Sequence, residues 1–278
     1  MSSSGKTLKH FVIVRFFPHK DPEFTQDIFD LDFVARQVFL TKNNGLKSLE
    51  NQSNTNFEVV FLMNEQYFKD KKFDFMFSEI KNCTSLPVTF IKKEELVPLI
   101  KEALKKYDFV IQSRTDLDDF LFKDGVAETQ DKINECDSLL SYGYLRGYAY
   151  YNEELYPHFT PYPNGYKAVL QSLILKSSFA KNLPFIGIYR FNHTKIKLGL
   201  EQIFESKGLP FSQNMFQQNS TTNAFIWFRH DETYSNMGNP FSAAPKYVKK
   251  ETPLTAKDIT KKQLEEEFAF YYDVKSIK

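Results

Sequence analysis

Short apolar runs alternate with amphipathic stretches through the first half of the chain. The apolar runs predict buried strands over His10–Phe17, Phe57–Met63, Val88–Ile91 and Asp108–Gln112. Apolar residues at helical spacing predict helices over Phe33–Leu40, Leu46–Gln52, Glu94–Tyr107 and Gly125–Glu135, with a break between the first two at Asn44-Gly45. Because these strands alternate with helices, we expect a parallel sheet with helices on both faces.

The second half of the chain has a less regular pattern. It predicts antiparallel strands over Ser138–Tyr151, a helix or a buried strand over Lys167–Lys176, a helix over Lys195–Lys207 that ends at Gly208, and a short strand over Phe225–Phe228. Thr260 and Gln263 form a Thr-x-x-Gln capping pattern, which starts a last helix that we expect to reach about Tyr272. The expected class is α/β: a mostly parallel sheet flanked by helices, then a less regular antiparallel and helical half.

Composition narrows the class of protein. A chain of 278 residues with 42% hydrophobic and 26% charged residues can bury a large core, which excludes a disordered protein. Its formal net charge of +1 argues against nucleic acid as a partner, because proteins that bind nucleic acid normally carry a strong positive excess. The two cysteines, Cys83 and Cys136, cannot cross-link a fold of this size, which favours a reducing, cytoplasmic setting.

Glycine is scarce, with 10 residues, and neither G-x-G-x-x-G nor G-x-x-x-x-G-K-[ST] occurs in the sequence. The two common glycine-rich phosphate loops are therefore missing. A nucleotide would have to be held in another way, and a metal ion bound by carboxylates is the usual one. The apolar runs are of strand length, too short for a signal core or a membrane span, so we expect neither.

Three carboxylates, Asp116, Asp118 and Asp119, follow the fourth predicted strand within four residues. They repel one another unless a cation or hydrogen-bond donors are present, and Mg²⁺ or Mn²⁺ would relieve that repulsion. In an extended segment, Asp116 and Asp118 point to one side and Asp119 to the other. The alternative is a solvated, Asp-rich turn. The buried strand and Arg114 directly before the acids favour the metal.

Polar residues also occur at the ends of other predicted strands. Arg15 lies late in the first strand and Asn64 closes the second, while Arg114 and Asp116 follow the fourth. Ligands of parallel sheets bind beyond the carboxyl ends of the strands. We therefore expect these four residues to contribute to a nucleotide site.

Several ordered blocks of the sequence carry a resemblance. The run Arg-Thr-Asp-Leu-Asp-Asp, residues 114–119, resembles the Asp-x-Asp region of GT-A glycosyltransferases. More narrowly, the chain resembles the bacterial putative rhamnosyltransferase family in several short blocks. These blocks are Arg15-Phe16, Arg36 with Phe39, Ser48-Leu49 with Gln52, the 114–119 run, and an aromatic strand ending in His230 with Ser235-Asn236 shortly after. The usual motif of that family has a fuller run of acids after Arg-Leu, which Thr115 and Leu117 interrupt here.

The resemblance implies a single GT-A-like catalytic domain over residues 1–278, with a nucleotide-sugar half at about 1–136 and an acceptor half, including the C-terminal helix, at about 137–278. Asp118 would be the main ligand of Mn²⁺ or Mg²⁺, with Asp119 in support and Asp116 on the ribose or a metal-bound water. Arg114 would fix the nucleotide or orient the acids. His230 would lie near the diphosphate or the metal.

The sequence therefore predicts a metal-dependent hexosyl- or deoxyhexosyltransferase. It would move a sugar from a nucleoside-diphosphate sugar to a bacterial surface polysaccharide or a lipid-linked glycan. The base that an inverting transfer needs is left open among Glu153, Glu154, Glu201 and Asp231. Two alternatives remain: a nucleotidyl- or phosphotransferase that uses the same acids, and a non-catalytic glycan-binding protein.

Two further features concern the acceptor. The aromatic stretches Gly143–Tyr151 and Phe159–Tyr166 could stack on sugar rings, although most aromatic residues serve a core or a strand. The lysines of Lys246–Lys261 could contact an anionic membrane surface, although a solvated face is the commoner role of such charges. The expected location is the cytoplasm, with peripheral contact at the inner face of the cell membrane.

Overall fold

The structure is a computed structural model. It describes residues 6–16, 27–116, 118–151, 153–159, 163–165, 169–180, 183, 187–191, 193–228 and 253–277. The strands of this part are β1 Leu8–Phe16, β2 Glu58–Met63, β3 Val88–Lys92, β4 Phe109–Asp116, β5 Phe120–Leu121, β6 Leu139–Tyr151, β7 Glu154–Phe159, β8 Gln171–Lys176 and β9 Phe216–Phe228. They form one mixed sheet in the order β3-β2-β1-β4-β8-β6-β9-β5, and β7 pairs with β6.

The first four strands are parallel, as the alternating pattern predicts. The helices of the described chain are α1 Leu31–Leu40, α2 Leu46–Glu50, α3 Gln66–Lys69, α4 Asp74–Asn82, α5 Leu96–Lys106, α6 Gly125–Asp131, α7 Ser177–Ala180, α8 Ile196–Ser206 and α9 Lys261–Phe268. None of them is both long enough and apolar enough to cross a bilayer.

Helices cover both faces of the parallel strands. Alternate residues of a strand point to opposite faces, and β1 shows this clearly. Val12 and Val14 pack in a cluster with residues of α1, α2 and α4, whereas Phe11 and Ile13 pack with residues of α5 and α8. The sheet is therefore buried on both sides, which explains why its central strands are apolar almost throughout.

The predicted break at Asn44-Gly45 is wrong. The chain passes from α1 to α2 through a π-helical turn, Thr41–Gly45, and Gly45 keeps helical backbone angles. A π turn is a wider turn that often lies at functional sites. It places the Asn44 side chain inside the protein, where both ends of its amide are hydrogen-bonded. These contacts support a turn that glycine and asparagine alone would not favour.

The fourth strand is longer than predicted and includes Arg114 and Asp116. It continues because Arg114 pairs with Gln171 of β8 and Asp116 pairs with Arg15 of β1. The basic and acidic residues that follow the apolar core of this strand are therefore held in the sheet itself. A pattern based on hydrophobicity ends such a strand too early.

The second half also differs in detail. Ser138–Tyr151 holds one long strand, β6, which is antiparallel to β7 and β8 but parallel to β9. The stretch Lys167–Lys176, for which the pattern allowed a helix or a strand, contains a buried strand, β8. The strand predicted over Phe225–Phe228 is longer and begins at Phe216. The last helix ends at Phe268, short of Tyr272, because Ala269 adopts a left-handed conformation. The pattern gave no helix between β2 and β3, where α3 and α4 lie.

A chain of buried polar side chains crosses the sheet at His10. Gln130 Nε2 lies 3.3 Å from His10 Nδ1, His10 Nε2 lies 2.8 Å from Ser113 Oγ, and Ser113 Oγ lies 2.6 Å from Ser172 Oγ. Because an amide nitrogen can only donate, His10 Nδ1 must accept and the proton must be on Nε2. The imidazole is therefore neutral, and burial lowers the pKa of His10 from its ordinary 6.5 to about 3.

This burial predicts a loss of stability in acid. Between pH 6.5 and about 3 the unfolded chain binds a proton at His10 that the folded chain does not, so stability falls as the pH falls. The contribution is about 1.4 kcal/mol per pH unit. Urea unfolding at pH 7.5, 6 and 5 should show a steeper decline for the native protein than for His10→Gln, and parallel declines would contradict a neutral His10.

Candidate functional site

Charged residues meet at the carboxyl edge of β1 and β4. Arg15 and Asp116 are register partners, and the Arg15 guanidinium donates from Nε and Nη2 to Asp116 Oδ1 at 2.9 and 2.5 Å. The Asp116 carboxylate is the main reason that the pKa of Arg15 is raised. About a third of each side chain is exposed, so this ion pair lies at the surface of the site rather than within the core.

Arg114 lies beside this pair and is buried. Its side chain points to the same face as Arg15, because Ile13 and Arg114 are register partners in the parallel strands. The guanidinium lies over the ring of Tyr189 at 4.8 Å, and the Tyr189 hydroxyl donates to the Ile13 carbonyl at 3.1 Å. Burial lowers the pKa of Arg114 and raises that of Tyr189 to about 12, so the phenol is neutral.

One atom of Arg114 lacks a hydrogen-bond partner within the described part of the chain. Arg114 is 4% exposed, and its Nε has no hydrogen-bond partner among the residues that the structure describes. A buried charged donor without an acceptor costs free energy. The aromatic ring compensates in part, and a bound anion would compensate more fully.

The acids differ in exposure. Asp116 and Asp118 are partly exposed, whereas Asp119 is 2% exposed. Among the described residues, no three Asp, Glu, His or Cys side chains form a group that could hold a metal ion on their own. A Mg²⁺ or Mn²⁺ ion on a nucleotide takes one or two carboxylates and completes its coordination with phosphate oxygens and water. Asp116 and Asp118 fit that smaller requirement by their chemistry and exposure.

Three polar side chains spaced by four residues fix the segment that follows the acids. Asn44 Nδ2 donates to the Asp118 carbonyl at 3.3 Å, and the Leu121 amide donates to Ser48 Oγ at 2.5 Å. Gln52 accepts from the Val126 amide at 3.0 Å and donates to the Phe122 carbonyl at 3.0 Å. These contacts go to the backbone, so they set the path of the acidic segment without occupying its carboxylates.

The remaining predicted residues have other partners or lie elsewhere. The Asn64 side chain accepts from the Gln66 amide at 2.9 Å and so closes a turn just before α3, although it lies at the expected sheet edge. Arg36 and Phe39 are exposed on α1. His230 and Asp231 lie outside the described residues.

The candidate bases are engaged in ion pairs or hydrogen bonds. Glu153 pairs with Lys275 at 2.9 Å, and Glu154 accepts from the Ser276 hydroxyl. Glu201 lies on α8 with Lys197 Nζ 3.9 Å away. Glu153 and Glu154 thus fasten the C-terminal segment, residues 253–277, to the sheet.

Sequence reasoning missed Tyr189, Asn44 and Tyr272. Tyr272 donates to Asn44 Oδ1 at 2.7 Å, and burial together with the nearby charge of Asp118 raises its pKa. These residues lie far from the acids in sequence, so no local pattern links them. Asn44 stands four residues before Ser48, and that spacing is the one signal that could have identified it.

Solved structures match this chain at low similarity. TarS of S. aureus, residues 1–349 in complex with UDP, matches at 16% identity with a TM-score of 0.41, over 82% of this chain and 63% of that chain. A putative nucleotide-diphospho-sugar transferase from Desulfovibrio desulfuricans matches at 10% identity with a TM-score of 0.38, over 87% of this chain and 94% of that chain. The chain thus spans less than two thirds of the TarS chain.

Comparison with curated protein sequences gives no match. A sequence model of a family described as "Putative rhamnosyl transferase" matches residues 23–226, which is most of the chain. The matched range includes Asn44, Ser48 and Gln52, together with Arg114 and all three acids, and it ends within β9. The chain belongs to this family of sugar transferases.

Proposed function

We propose that this protein is a metal-dependent glycosyltransferase that takes its sugar from a nucleoside-diphosphate sugar. Family membership supports sugar transfer. The cluster of arginines and acids at the carboxyl edge of β1 and β4 supports the position of the donor, because parallel sheets bind ligands at that edge. The acceptor that we propose is a bacterial surface polysaccharide or its lipid-linked precursor, shaped by the second half of the chain.

The observation that carries this proposal is the buried Arg114 guanidinium. It lies at the predicted donor edge, stacked on Tyr189, with an Nε that lacks an acceptor among the described residues. Arg15, by contrast, already has Asp116. We infer that Arg114 receives the diphosphate of the donor, since a guanidinium hydrogen-bonds phosphate oxygens strongly in a site with little water.

The acids have a complementary role. Arg15 and Arg114 bring two positive charges, and Asp116, Asp118 and Asp119 bring three negative ones, so the cluster alone has no net attraction for a diphosphate. A divalent cation would reverse that balance. Asp118 and Asp116 would hold Mn²⁺ or Mg²⁺, which would stabilise the negative charge of the departing nucleoside diphosphate.

The general base that would deprotonate the acceptor is not assigned. Glu153 and Glu154 are tied to the C-terminal segment, and Glu201 lies near Lys197, so their contacts favour none of the three as base. Asp231 stays a candidate. The proposal therefore assigns the donor site and leaves the deprotonation of the acceptor open.

The first prediction concerns the metal ligand. Asp118→Asn should remove most of the gain in nucleoside-diphosphate affinity that Mn²⁺ provides, because a neutral amide is a much weaker ligand of a hard cation. Calorimetry with UDP, GDP, CDP and dTDP, each with and without Mn²⁺, measures that gain. Asp131→Asn, on the exposed end of α6, is the matched control and should behave as the native protein does.

Two results would count against the proposal. An Asp118→Asn variant that keeps the full effect of Mn²⁺ would contradict the assignment of the metal. A native protein that binds none of the four diphosphates, and hydrolyses no nucleotide sugar in a donor panel, would contradict glycosyl transfer and leave a glycan-binding role.

The second prediction concerns Arg114. Arg114→Met should weaken binding of the preferred nucleoside diphosphate roughly 10- to 100-fold, because a hydrogen bond to a charged group is worth about 1.5–3 kcal/mol. Affinity for the matching nucleoside without phosphates should not change. The unliganded variant should melt no lower than the native protein, since methionine removes a buried charge without leaving one unpaired.

Arg146→Met is the matched control for this experiment. Arg146 is an exposed arginine on β6 whose guanidinium lies 5.8 Å from the ring centre of Phe159, so it also combines a cation with an aromatic ring. It should leave both affinities unchanged. Equal losses for the nucleoside and the diphosphate in Arg114→Met would show that Arg114 shapes the site without binding phosphate.

A further inference from the structure

We propose that Tyr272 and Asn44 are positioning residues that hold the backbone of Asp118 in place. This inference rests on the role proposed for Asp118 in the donor site. In this account the C-terminal segment, residues 253–277, helps to position the donor site.

Two consecutive hydrogen bonds connect Tyr272 to Asp118 through Asn44. The Tyr272 hydroxyl donates to Asn44 Oδ1 at 2.7 Å, and Asn44 Nδ2 donates to the Asp118 carbonyl at 3.3 Å. Asn44 is fully buried, so water cannot replace either partner at the amide. The phenol therefore fixes which way the amide faces, and the amide fixes the Asp118 carbonyl.

Aromatic contacts set the position of the Tyr272 ring. Its centre lies 6.1 Å from that of Phe120, 5.9 Å from Tyr150 and 5.4 Å from Phe270. Phe120 follows Asp119 directly and pairs with Ile226 of β9. The C-terminal segment thus contacts the acidic segment on both sides of Asp119, through Asn44 before it and through Phe120 after it.

The π-helical turn sets the direction of the Asn44 side chain. A regular helix through Thr41–Gly45 would turn the side chain at position 44 by a different angle, because a π turn adds a residue. Ser48 and Gln52 then continue the same row of backbone contacts to Leu121 and Val126. Asn44 is the member of the row nearest to the metal ligand proposed here, and it alone depends on the C-terminal segment.

Loss of the phenol should loosen the acidic segment. Tyr272→Phe keeps the ring and its packing but leaves Asn44 Oδ1 buried without a donor, so the amide can turn away from the Asp118 carbonyl. We expect local opening of residues 118–122 to become roughly 2- to 10-fold more frequent, which is the effect of losing one net hydrogen bond.

Tyr150→Phe is a matched control within the same cluster. The Tyr150 hydroxyl donates to the Asp273 carbonyl at 3.1 Å, and its ring packs on Phe270 and Tyr272. Its removal therefore takes one hydrogen bond from the C-terminal segment without touching Asn44. Any general loosening of that segment should appear in both variants.

The experiment combines hydrogen exchange with nucleotide binding on the full chain. Exchange in peptides that cover residues 118–122 should rise roughly 2- to 10-fold in Tyr272→Phe and in Asn44→Ala, and should stay at the native value in Tyr150→Phe. The gain in affinity for the preferred nucleoside diphosphate on addition of Mn²⁺ should shrink in the first two variants alone. The double variant should lose little more than either single one, because both act on one chain of contacts.

The outcomes separate the two proposals. Unchanged exchange at residues 118–122 in Tyr272→Phe, or the same change in Tyr150→Phe, would overturn the positioning role whatever the protein binds. Faster exchange in Tyr272→Phe and Asn44→Ala, together with a native protein that binds no nucleoside diphosphate, would support the mechanical link and reject the donor site. Faster exchange with an undiminished effect of Mn²⁺ would overturn the claim that this link serves metal binding.

Discussion

The site depends on charged side chains that are held, wholly or partly buried, at the carboxyl edge of β1 and β4, where each of them needs a partner. Two guanidiniums and a carboxylate lie at the end of strands that pack between two largely apolar clusters. The Arg15–Asp116 pair satisfies itself, whereas Arg114 has an aromatic ring and a buried Nε without a described acceptor. Such an arrangement costs stability in the free protein, and the diphosphate that we propose would offset that cost.

The acidic segment is held by its backbone. Asn44, Ser48 and Gln52 place their side chains along one line and bind main-chain atoms from Asp118 to Val126. A segment fixed through its main chain can present its side chains at a defined position. The same line of contacts reaches the C-terminal segment through Tyr272, so residues more than 150 positions from the acids contribute to their placement.

Much of this arrangement could be predicted from the sequence. The parallel strands, the helices on both faces and the position of Arg15 and Asp116 at one sheet edge followed from apolar periodicity and from the rule that parallel strands end at one edge. The family resemblance through Ser48, Gln52 and the acids was confirmed by the family match. The physical role of Ser48 and Gln52 could not be predicted, because their hydrogen bonds go to backbone atoms of a segment about 70 residues away.

Other features depend on tertiary contacts that no local pattern contains. Gly45 reads as a helix breaker, yet the buried contacts of Asn44 keep a π turn in the helix. Arg114 and Asp116 read as a loop, yet pairing with β1 and β8 keeps them in β4. Glu153 and Glu154 read as candidate bases, and only the structure reveals their contacts with Lys275 and Ser276.

A crystal structure of the protein with Mn²⁺ and its preferred nucleoside diphosphate tests the central claim most directly. Anomalous scattering should locate the manganese against the carboxylates of Asp118 and Asp116, with the diphosphate between the metal and the Arg114 guanidinium. A nucleotide bound away from the carboxyl edge of β1 and β4, or bound there with Arg114 still turned from the phosphates and no metal at the acids, would contradict the account.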